Sequence, residues 1–415
     1  MRILLIHQYF LEENDSGGSR FNELSKHWTE QGHQITVICG MMHYSSAVKR
    51  PEYKGRYFVD KQHGEVRVLR CHVSESYNVN FLGRLWAYLS FVFSSLWGGL
   101  FKVNGKFDLV LVTSPPLFVG ISAFILSRIK GIPYVFEVRD LWPESAIDTG
   151  VVKNKIIIHL SYSLERFLYR HARLINVLTP AFRTTLIEKK NVPPGKIIFI
   201  PNAADFTLSD QLLHHFDPNQ FRKESGIDNR FVITYVGAHG VANHLVQLLD
   251  AAELLRDTNV VFQLIGEGMQ KQELIMDAEK RQLKNVRFID PVPKAEVFKY
   301  ILASDMGASV LKKVDTFKTI YSNKTFDYMA CCIPVLLLID GVSRELVEQA
   351  DCGIYAEPEN PVEIASKIRR CMDNPERLKQ QGQNGYRFAK ASFDRAVLAQ
   401  QYMDHLKSLV PASSS

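Results

Sequence analysis

The chain lacks the sequence features that mark several large classes of protein. No low-complexity stretch or short-period repeat occurs before the serines at its end, and 46% of its 415 residues are hydrophobic, so the composition indicates a globular protein throughout. The formal net charge is only +6 and is not gathered into one basic tract. Nucleic acid is therefore not expected as a partner, whereas a phosphate ligand or an anionic membrane surface fits this charge.

The cysteines show neither the paired spacing of metal-ligating motifs nor the density of a disulfide framework. They are Cys39, Cys71, Cys331, Cys332, Cys352 and Cys371. The first residues become polar too soon for a signal peptide and are predicted to form a buried strand. A reducing cytosol is the expected setting.

The order of apolar segments predicts two α/β domains. Short apolar runs bounded by turns alternate with helical patterns, which is typical of parallel sheets. The predicted strands span residues 3–6, 35–38, 109–112, 134–138 and 174–178, and a second series spans 231–236, 260–265, 286–289, 306–310 and 335–339. A polar, proline-containing segment near 201–218 is the expected linker. The predicted domains are residues 1–205 and 206–392, followed at 393–415 by a helix expected to cross back to the first domain.

One apolar segment is a candidate membrane contact. Residues 85–101 carry no charge and include Trp86, Phe93 and Trp97. The run is slightly shorter than the about 20 residues that a spanning helix needs, and it contains serines and glycines. Three alternatives remain open from sequence: a helix of residues 81–101 lying in the lipid interface, an ordinary buried helix, and a true span.

Glycine-containing loops follow several predicted strands, where backbone N–H groups can hold phosphate. Gly17 and Gly18 follow the first strand, and residues 237–243 follow the first strand of the second series. A third loop, Gly266-Glu267-Gly268, ends the strand at 260–265. None of these loops is a Walker A sequence or a complete Gly-x-Gly-x-x-Gly motif, which argues against an ATPase and a simple NAD dehydrogenase. A tight turn chosen only for its geometry remains an alternative for the first and third of these loops.

An ordered series of short motifs gives a resemblance that covers nearly the whole chain. The series includes Pro201 to Asp205, the loops at 237–243 and 266–268, Ser304 to Gly307, Asn323 to Ala330, Pro334-Val335 and Glu345 to Gly353. In this order the motifs resemble those of family 4 retaining glycosyltransferases of the GT-B fold. Residues 138–145, together with 237–243, are similar to the bacterial L-fucosamine transferase-like branch of O-antigen and capsule synthesis. The resemblance implies two Rossmann-like domains with parallel sheets facing across a cleft.

The resemblance also implies roles for residues of the second domain. Asp327 stands where family members usually have a Glu that binds the ribose hydroxyls, and Thr319 replaces a second Glu that contacts the donor sugar. Gly237, His239, Gly240 and Asn243 of the phosphate loop are predicted to bind the donor. Where relatives have an Arg and a Lys, this loop has Ala238, His239 and Asn243, so Lys324 is the predicted cation for the diphosphate. Further donor contacts are expected from Gly341, Glu345, Gly266 and Glu267. A solvated surface lysine and a helix-start carboxylate are the simpler interpretations of Lys324 and Glu345.

In the first domain, Arg139 and Asp140 directly follow a predicted buried strand. Adjacent charges there are costly unless they are solvated, paired or bound to a ligand. Both are predicted catalytic residues, with Glu144 in the sugar-binding rim; an internal ion pair between Arg139 and Glu144 is the alternative.

The predicted activity is metal-independent transfer, without a cofactor, of an N-acetylated amino or deoxy sugar from a UDP-sugar to a lipid-linked or polysaccharide acceptor. The chain is expected in the cytoplasm at the inner face of the membrane. A nucleotide-sugar epimerase or hydrolase and a non-catalytic scaffold are the competing hypotheses.

Overall fold

The structure is a computed structural model that describes residues 1–12, 20–42, 48–148, 150 and 152–410. Gly17 and Gly18 lie outside the described residues. The strands are β1 (Arg2–Ile6), β2 (Gln34–Gly40), β3 (Phe58–His63), β4 (Val66–Cys71), β5 (Leu109–Ser114), β6 (Tyr134–Val138), β7 (Leu174–Val177), β8 (Ile197–Phe199), β9 (Phe231–Val236), β10 (Val260–Ile265), β11 (Val286–Ile289), β12 (Met306–Val310), β13 (Val335–Leu338) and β14 (Gly353–Tyr355). The helices are α1 (Arg20–Glu30), α2 (Phe81–Phe101), α3 (Val119–Lys130), α4 (Glu144–Asp148), α5 (Lys155–His171), α6 (Pro180–Glu188), α7 (Phe206–His215), α8 (Pro218–Glu224), α9 (Val246–Leu254), α10 (Lys271–Lys280), α11 (Lys294–Leu302), α12 (Asn323–Ala330), α13 (Val342–Ala350), α14 (Pro361–Met372), α15 (Pro375–Ser392) and α16 (Arg395–Lys407).

The described chain divides into two compact units. The first comprises the described residues up to Pro201 together with the chain from Ala396 onward, and the second comprises Asn202–Arg395. The last helix, α16, therefore belongs almost entirely to the first unit. There the indole Nε1 of Trp28 donates a hydrogen bond to the carbonyl oxygen of Ala399 at 2.9 Å, and its ring packs against Tyr402.

The first unit is built on a mostly parallel sheet. Among the described residues its strand order is β3-β4-β2-β1-β5-β6-β7-β8, with only β3 antiparallel to its neighbour. The chain winds outward in both directions from the pair β1 and β5, so their carboxyl ends form the switch point where such sheets bind ligands. The core positions Phe21 and Leu24 of α1 are buried as predicted, and Gly32 follows the helix with a φ of 80°.

The second unit has a parallel sheet in the order β11-β10-β9-β12-β13-β14. Counted from its own first strand, β9, this is the 3-2-1-4-5-6 order of the classical dinucleotide-binding fold, with the switch point between β9 and β12. The prediction of two Rossmann-like α/β domains is confirmed.

The segment at 201–218 differs from the expected linker. It contributes α7, whose Phe206 is buried in the core of the second unit. Pro218 begins α8 at the first helical position, where its missing N–H costs nothing. The predicted linker was therefore too long, because prolines that start helices were interpreted as signs of an irregular segment.

The helix α2 has an unusual distribution of polar and apolar side chains. Its inner face carries serines: Ser95 Oγ lies 2.8 Å from Ser122 Oγ of α3, and Ser94 Oγ donates to the carbonyl oxygen of His72 at 2.6 Å. Its outer face is apolar and exposed, with Leu82, Trp86, Phe93, Trp97 and Phe101 each more than half accessible. Among the described residues, no helix combines the length and apolarity needed to cross a bilayer.

Candidate functional site

The candidate donor site lies at the switch point of the second sheet. The strands β9 and β12 pair only through Ile233 with Met306 and Thr234 with Gly307, and no further pairing joins them beyond that point in the described chain. The Tyr328 hydroxyl lies 3.1 Å from the carbonyl oxygen of Thr234 and 3.0 Å from that of Ala308, and these two acceptors share its single proton. A Cβ on Gly307 would lie 2.3 Å from the Tyr328 ring. Glycine at position 307 thus leaves room for the ring of Tyr328, which acts as a wedge that bridges β9 and β12.

Two glycine loops, which follow the neighbouring strands β9 and β10, cross in close contact at this end of the sheet. Gly237 donates its N–H to the carbonyl oxygen of Ile265 at 3.0 Å, and His239 donates to that of Glu267 at 2.9 Å. The φ angles of Gly237 and Gly266 are 144° and 146°, and residues other than glycine rarely adopt this backbone conformation. A Cβ on Gly266 would lie 1.9 Å from the Gly237 carbonyl oxygen. The crossing therefore requires glycine at position 266.

Lys324 lies against the first of these loops. It is the second residue of α12, and its Nζ is 4.9 Å from the centroid of the Tyr235 ring and 3.5 Å from Asn243 Oδ1. A Cβ on Gly237 would lie 2.7 Å from its Cε. Burial lowers its pKa to about 8, although Asp327 acts in the opposite direction. Lys324 is thus partly buried and in contact with this loop.

The arrangement around Lys324 provides the elements of a diphosphate site. The amino end of α12 carries unpaired N–H groups and a partial positive charge, and a cation lies beside it. Asp327 follows one turn later and is half-buried. A carboxylate on this helix can accept two hydrogen bonds from neighbouring hydroxyls, which is the chemistry that ribose requires.

A second group of predicted residues gathers around Gly341. Its φ is 76°, and a Cβ there would lie 2.1 Å from the Lys318 carbonyl oxygen, so the segment before Thr319 packs directly on this turn. Thr319 Oγ1 donates to the Thr316 carbonyl oxygen at 2.6 Å. Glu345 is exposed in the first turn of α13, and its N–H donates to the Gly341 carbonyl oxygen at 3.0 Å. Positions 319, 341 and 345 thus belong to one surface.

The side chain of His239 is fully buried beneath the crossing loops, near Tyr235 and Phe288. Within the described chain, neither of its ring nitrogens has a hydrogen-bond partner. Burial, and then the charge of Lys271, lowers its pKa to about 4, so the ring is neutral at physiological pH. Its backbone, and not its ring, forms part of the loop crossing.

We expect His239→Leu to raise the thermal unfolding midpoint. Leaving a buried polar atom unpaired costs about 1–3 kcal/mol, and leucine fills a similar volume without polar atoms. Differential scanning calorimetry measures the shift, with His214→Leu, an exposed histidine of the same unit, as control. A midpoint below that of the control would mean that the ring makes a stabilising contact through bound water.

The candidate residues of the first unit lie at the corresponding edge of its sheet. Arg139 follows β6 and donates its N–H to the Ser114 carbonyl oxygen at 3.1 Å. Burial raises the pKa of Asp140 to about 6, although Ser145 and Leu141 donate hydrogen bonds to it. Glu144 Oε1 is 2.7 Å from Lys190 Nζ.

Sequence reasoning missed two polar residues at this edge. His7 and Thr113 are almost fully buried at the ends of β1 and β5, and across the described residues His7 Nδ1 and Thr113 Oγ1 have no partner. Burial and then Arg139 hold the pKa of His7 well below its usual range. Both could have been found in the sequence, because each directly follows a predicted buried strand. Arg139 and Asp140 were predicted as site residues for the same reason.

Two family matches agree with this architecture. Residues 17–203 match the family described as "Glycosyl transferase 4-like domain", and residues 217–388 match "Glycosyl transferases group 1". The chain belongs to the glycosyltransferases of the GT-B fold that combine these two domains.

Individual relatives match this chain over nearly all of its length or over a large part of it. WcaI of Escherichia coli K12, by name assigned to colanic acid biosynthesis as a glycosyl transferase, is 22% identical over 98% of this chain and 100% of its own. The α-D-kanosaminyltransferase of Streptomyces kanamyceticus is 21% identical over 67% of this chain and 71% of its own. The solved structure of Anabaena Alr3699/HepE in complex with UDP matches with a TM-score of 0.70 at 19% identity, covering 99% of this chain and 100% of that one.

Proposed function

We propose that this chain is a retaining glycosyltransferase that moves an amino or deoxy sugar from a UDP-sugar to a lipid-linked or polysaccharide acceptor in bacterial surface polysaccharide assembly. The observation that carries the proposal is Lys324 at the start of α12, packed against Gly237 at the switch point of the second sheet. A glycosyltransferase needs a cation and backbone donors where negative charge develops on the departing diphosphate.

Relatives support the choice of donor and pathway. A neighbour in structure, HepE, was solved in complex with UDP, and a relative in sequence is a kanosaminyltransferase, named for an amino sugar. WcaI is assigned by name to the synthesis of a surface polysaccharide. By analogy we assign UDP as the nucleotide here, with Asp327 binding the ribose. The L-fucosamine transferase-like branch remains our proposal for the subfamily.

The proposed chemistry needs no enzyme nucleophile. The leaving phosphate accepts the proton of the acceptor hydroxyl on the face from which it departs, and the configuration of the sugar is retained. Lys324 and the backbone N–H groups stabilise the phosphate charge, so we propose that neither a metal nor a cofactor takes part. Transfer that persists in excess chelator is the expected result.

The first unit is proposed to bind the acceptor beside Arg139 and Asp140. An aromatic series connects this edge to α2: Tyr88 stacks on Phe118 at 5.8 Å, and Phe118 contacts Trp142 edge-on at 5.9 Å. The exposed apolar side of α2 supports a peripheral contact with the cytoplasmic face of the membrane, where a lipid-linked acceptor would be found.

We expect Asp327→Ala to weaken the binding of UDP about 100-fold. Two hydrogen bonds from ribose hydroxyls to a carboxylate contribute about 3 kcal/mol together, which corresponds to that change in Kd. Isothermal titration calorimetry with UDP and GDP measures it, and Asp315→Ala, which alters an exposed carboxylate of the same unit, is the matched control. Unchanged affinity would refute the ribose assignment.

The activity test uses UDP-sugars incubated with the protein and bacterial membranes. Sugar label that enters the lipid fraction is the expected outcome. Free sugar released or altered without an acceptor would favour the epimerase or hydrolase, and binding of UDP without any turnover would favour a scaffold.

A further inference from the structure

A cationic groove in the first unit lies at the opposite edge of its sheet from Arg139. It is a cavity of about 1100 Å³ beside the amino ends of β6, β7 and β8. The basic side chains that line it are Arg128, Arg170, Arg173, Lys196, His171 and His405. No Asp or Glu is found among the described residues of its lining. We use the name cationic groove for this set of residues.

The charges of the cationic groove are not neutralised within the protein. In the described part of the chain, Arg128, Arg170 and Arg173 form no ion pair with a carboxylate. Lys196 Nζ donates to the carbonyl oxygens of Tyr169 at 2.6 Å and Arg170 at 2.7 Å, so it caps α5. Burial, and then the charge of Arg173, lowers the pKa of Lys196. Like charges held together in this way favour an anionic ligand.

The cationic groove adjoins a layer formed by α2, α3 and α5. Close contacts join these helices: a Cβ on Gly99 of α2 would lie 2.6 Å from Leu126 of α3, and Phe124 of α3 lies 4.8 Å from Phe167 of α5 between ring centroids. Arg128 lies in the last turn of α3 and Arg170 in the last turn of α5, so each helix places a cation in the cationic groove.

The outer face of this layer is apolar well beyond α2. Ile129 of α3 and Ile156, Leu160 and Phe167 of α5 are exposed in addition to the five apolar residues of α2. An apolar face of this extent on a soluble unit marks an interaction surface.

The charged residues of α2, α3 and α5 indicate what kind of partner binds the apolar face. Apart from Glu165, the charged residues of the three helices are all basic: Arg84, Arg128, Lys130, Lys155, Arg166 and Arg170. Glu165 is buried and accepts a hydrogen bond from Lys190 Nζ at 2.5 Å. Apolar side chains bordered by cations, without an exposed carboxylate, match the interface of a bilayer that contains anionic lipids.

We propose that the cationic groove binds the phosphate headgroups of anionic lipids while the outer face of α2, α3 and α5 rests in the bilayer interface. The inference deepens the membrane contact proposed above, but it does not depend on which sugar is transferred. It assigns a function to an edge of the first sheet that lies away from the predicted acceptor residues.

The test measures cosedimentation of the full chain with vesicles of phosphatidylcholine alone and of equal parts phosphatidylcholine and phosphatidylglycerol. The expected result is clear preference for the mixed vesicles. Arg170→Gln combined with Arg173→Gln should weaken that binding about 30-fold, which corresponds to about 2 kcal/mol, or one per charge. The matched control is Lys284→Gln with Lys379→Gln, which removes two exposed charges from the second unit and should change binding less than threefold.

A second variant tests the apolar face separately. Phe93→Ser combined with Trp97→Ser should abolish binding to both kinds of vesicle, whereas the groove variant should lose only the preference for phosphatidylglycerol. Vesicle binding by the groove variant equal to wild type would overturn the proposal. So would a protein that ignores vesicles but is stabilised against heat by inorganic phosphate, because the groove would then recognise free phosphate.

Calorimetry with UDP separates this inference from the proposed function. The groove variant should bind UDP as wild type does, since its substitutions lie in the first unit. A wild-type chain that binds mixed vesicles but not UDP would refute the donor assignment and leave the membrane site intact.

Discussion

Lys324→Met should reduce the rate of sugar transfer several hundredfold while leaving the protein folded. The methionine keeps the apolar stem that packs against Gly237 and Tyr235 but removes the charge. Loss of one group that stabilises developing charge in a preorganised site costs about 3–4 kcal/mol in the transition state. Steady-state kinetics with the UDP-sugar measures kcat, and thermal unfolding verifies the fold.

The control for Lys324→Met is Lys280→Met, which removes an exposed lysine from the same unit. It should leave kcat within a factor of two of wild type. A Lys324→Met enzyme that retains more than a tenth of the wild-type kcat would show that the backbone N–H groups alone stabilise the diphosphate.

Because the pKa of Lys324 is lowered, we expect the activity of the enzyme to depend on pH. Its pKa of about 8 means that the free enzyme loses the charge as the pH rises through that value. Because kcat/KM reports ionisations of the free enzyme, kcat/KM should fall about tenfold per pH unit above the pKa. Lys324→Arg should remove this decline, since a guanidinium stays protonated throughout the range. A wild-type profile that is flat up to pH 10 would contradict the assignment.

Gly266→Ala should destabilise the second unit by about 4 kcal/mol and abolish the binding of UDP. The added methyl group would lie 1.9 Å from the Gly237 carbonyl oxygen, and the φ of 146° is itself unfavourable for alanine. Because the obstructing atom belongs to the backbone, no side-chain rotation relieves the overlap, and the two loops must separate. Denaturant titration measures stability, and calorimetry measures binding.

The matched control is Gly226→Ala in the same unit. Gly226 also has a positive φ, 62°, but its added Cβ would have no neighbour closer than 3.9 Å. It should cost about 1 kcal/mol, the penalty for placing a side chain in the left-handed region, and leave UDP binding unchanged. Gly266→Ala no more destabilising than this control would mean that the loops do not need to cross.

Sequence reasoning was most successful where burial and periodicity coincide. Residues 231–236, 260–265, 286–289 and 306–310 were predicted as strands and are strands with the same bounds. It missed β8 and β14, which have three residues each and are too short to show a period. It also missed β3, whose partly exposed residues resemble a polar loop at the edge of the sheet, and β4, whose apolar residues are interrupted by Arg67 and Arg70.

The candidate site shows a different limit. The position of Lys324 in the motif suggested its role, but no local pattern predicts that its Nζ lies over the ring of Tyr235. The wedge formed by Tyr328 and Gly307 was missed for the same reason. Such contacts join residues distant in sequence, so they depend on the strand order of the finished sheet.

The location of α16 has a consequence for synthesis on the ribosome. Trp28 is fully buried, and Ala399 and Tyr402, which contact it, lie in α16; Ala399 is 371 positions further along the chain. Domains usually fold in the order in which they emerge, beginning at the amino terminus. Here Trp28 stays uncovered in the nascent first unit until the residues of α16 have left the exit tunnel, and during that interval the exposed indole is a binding site for a chaperone.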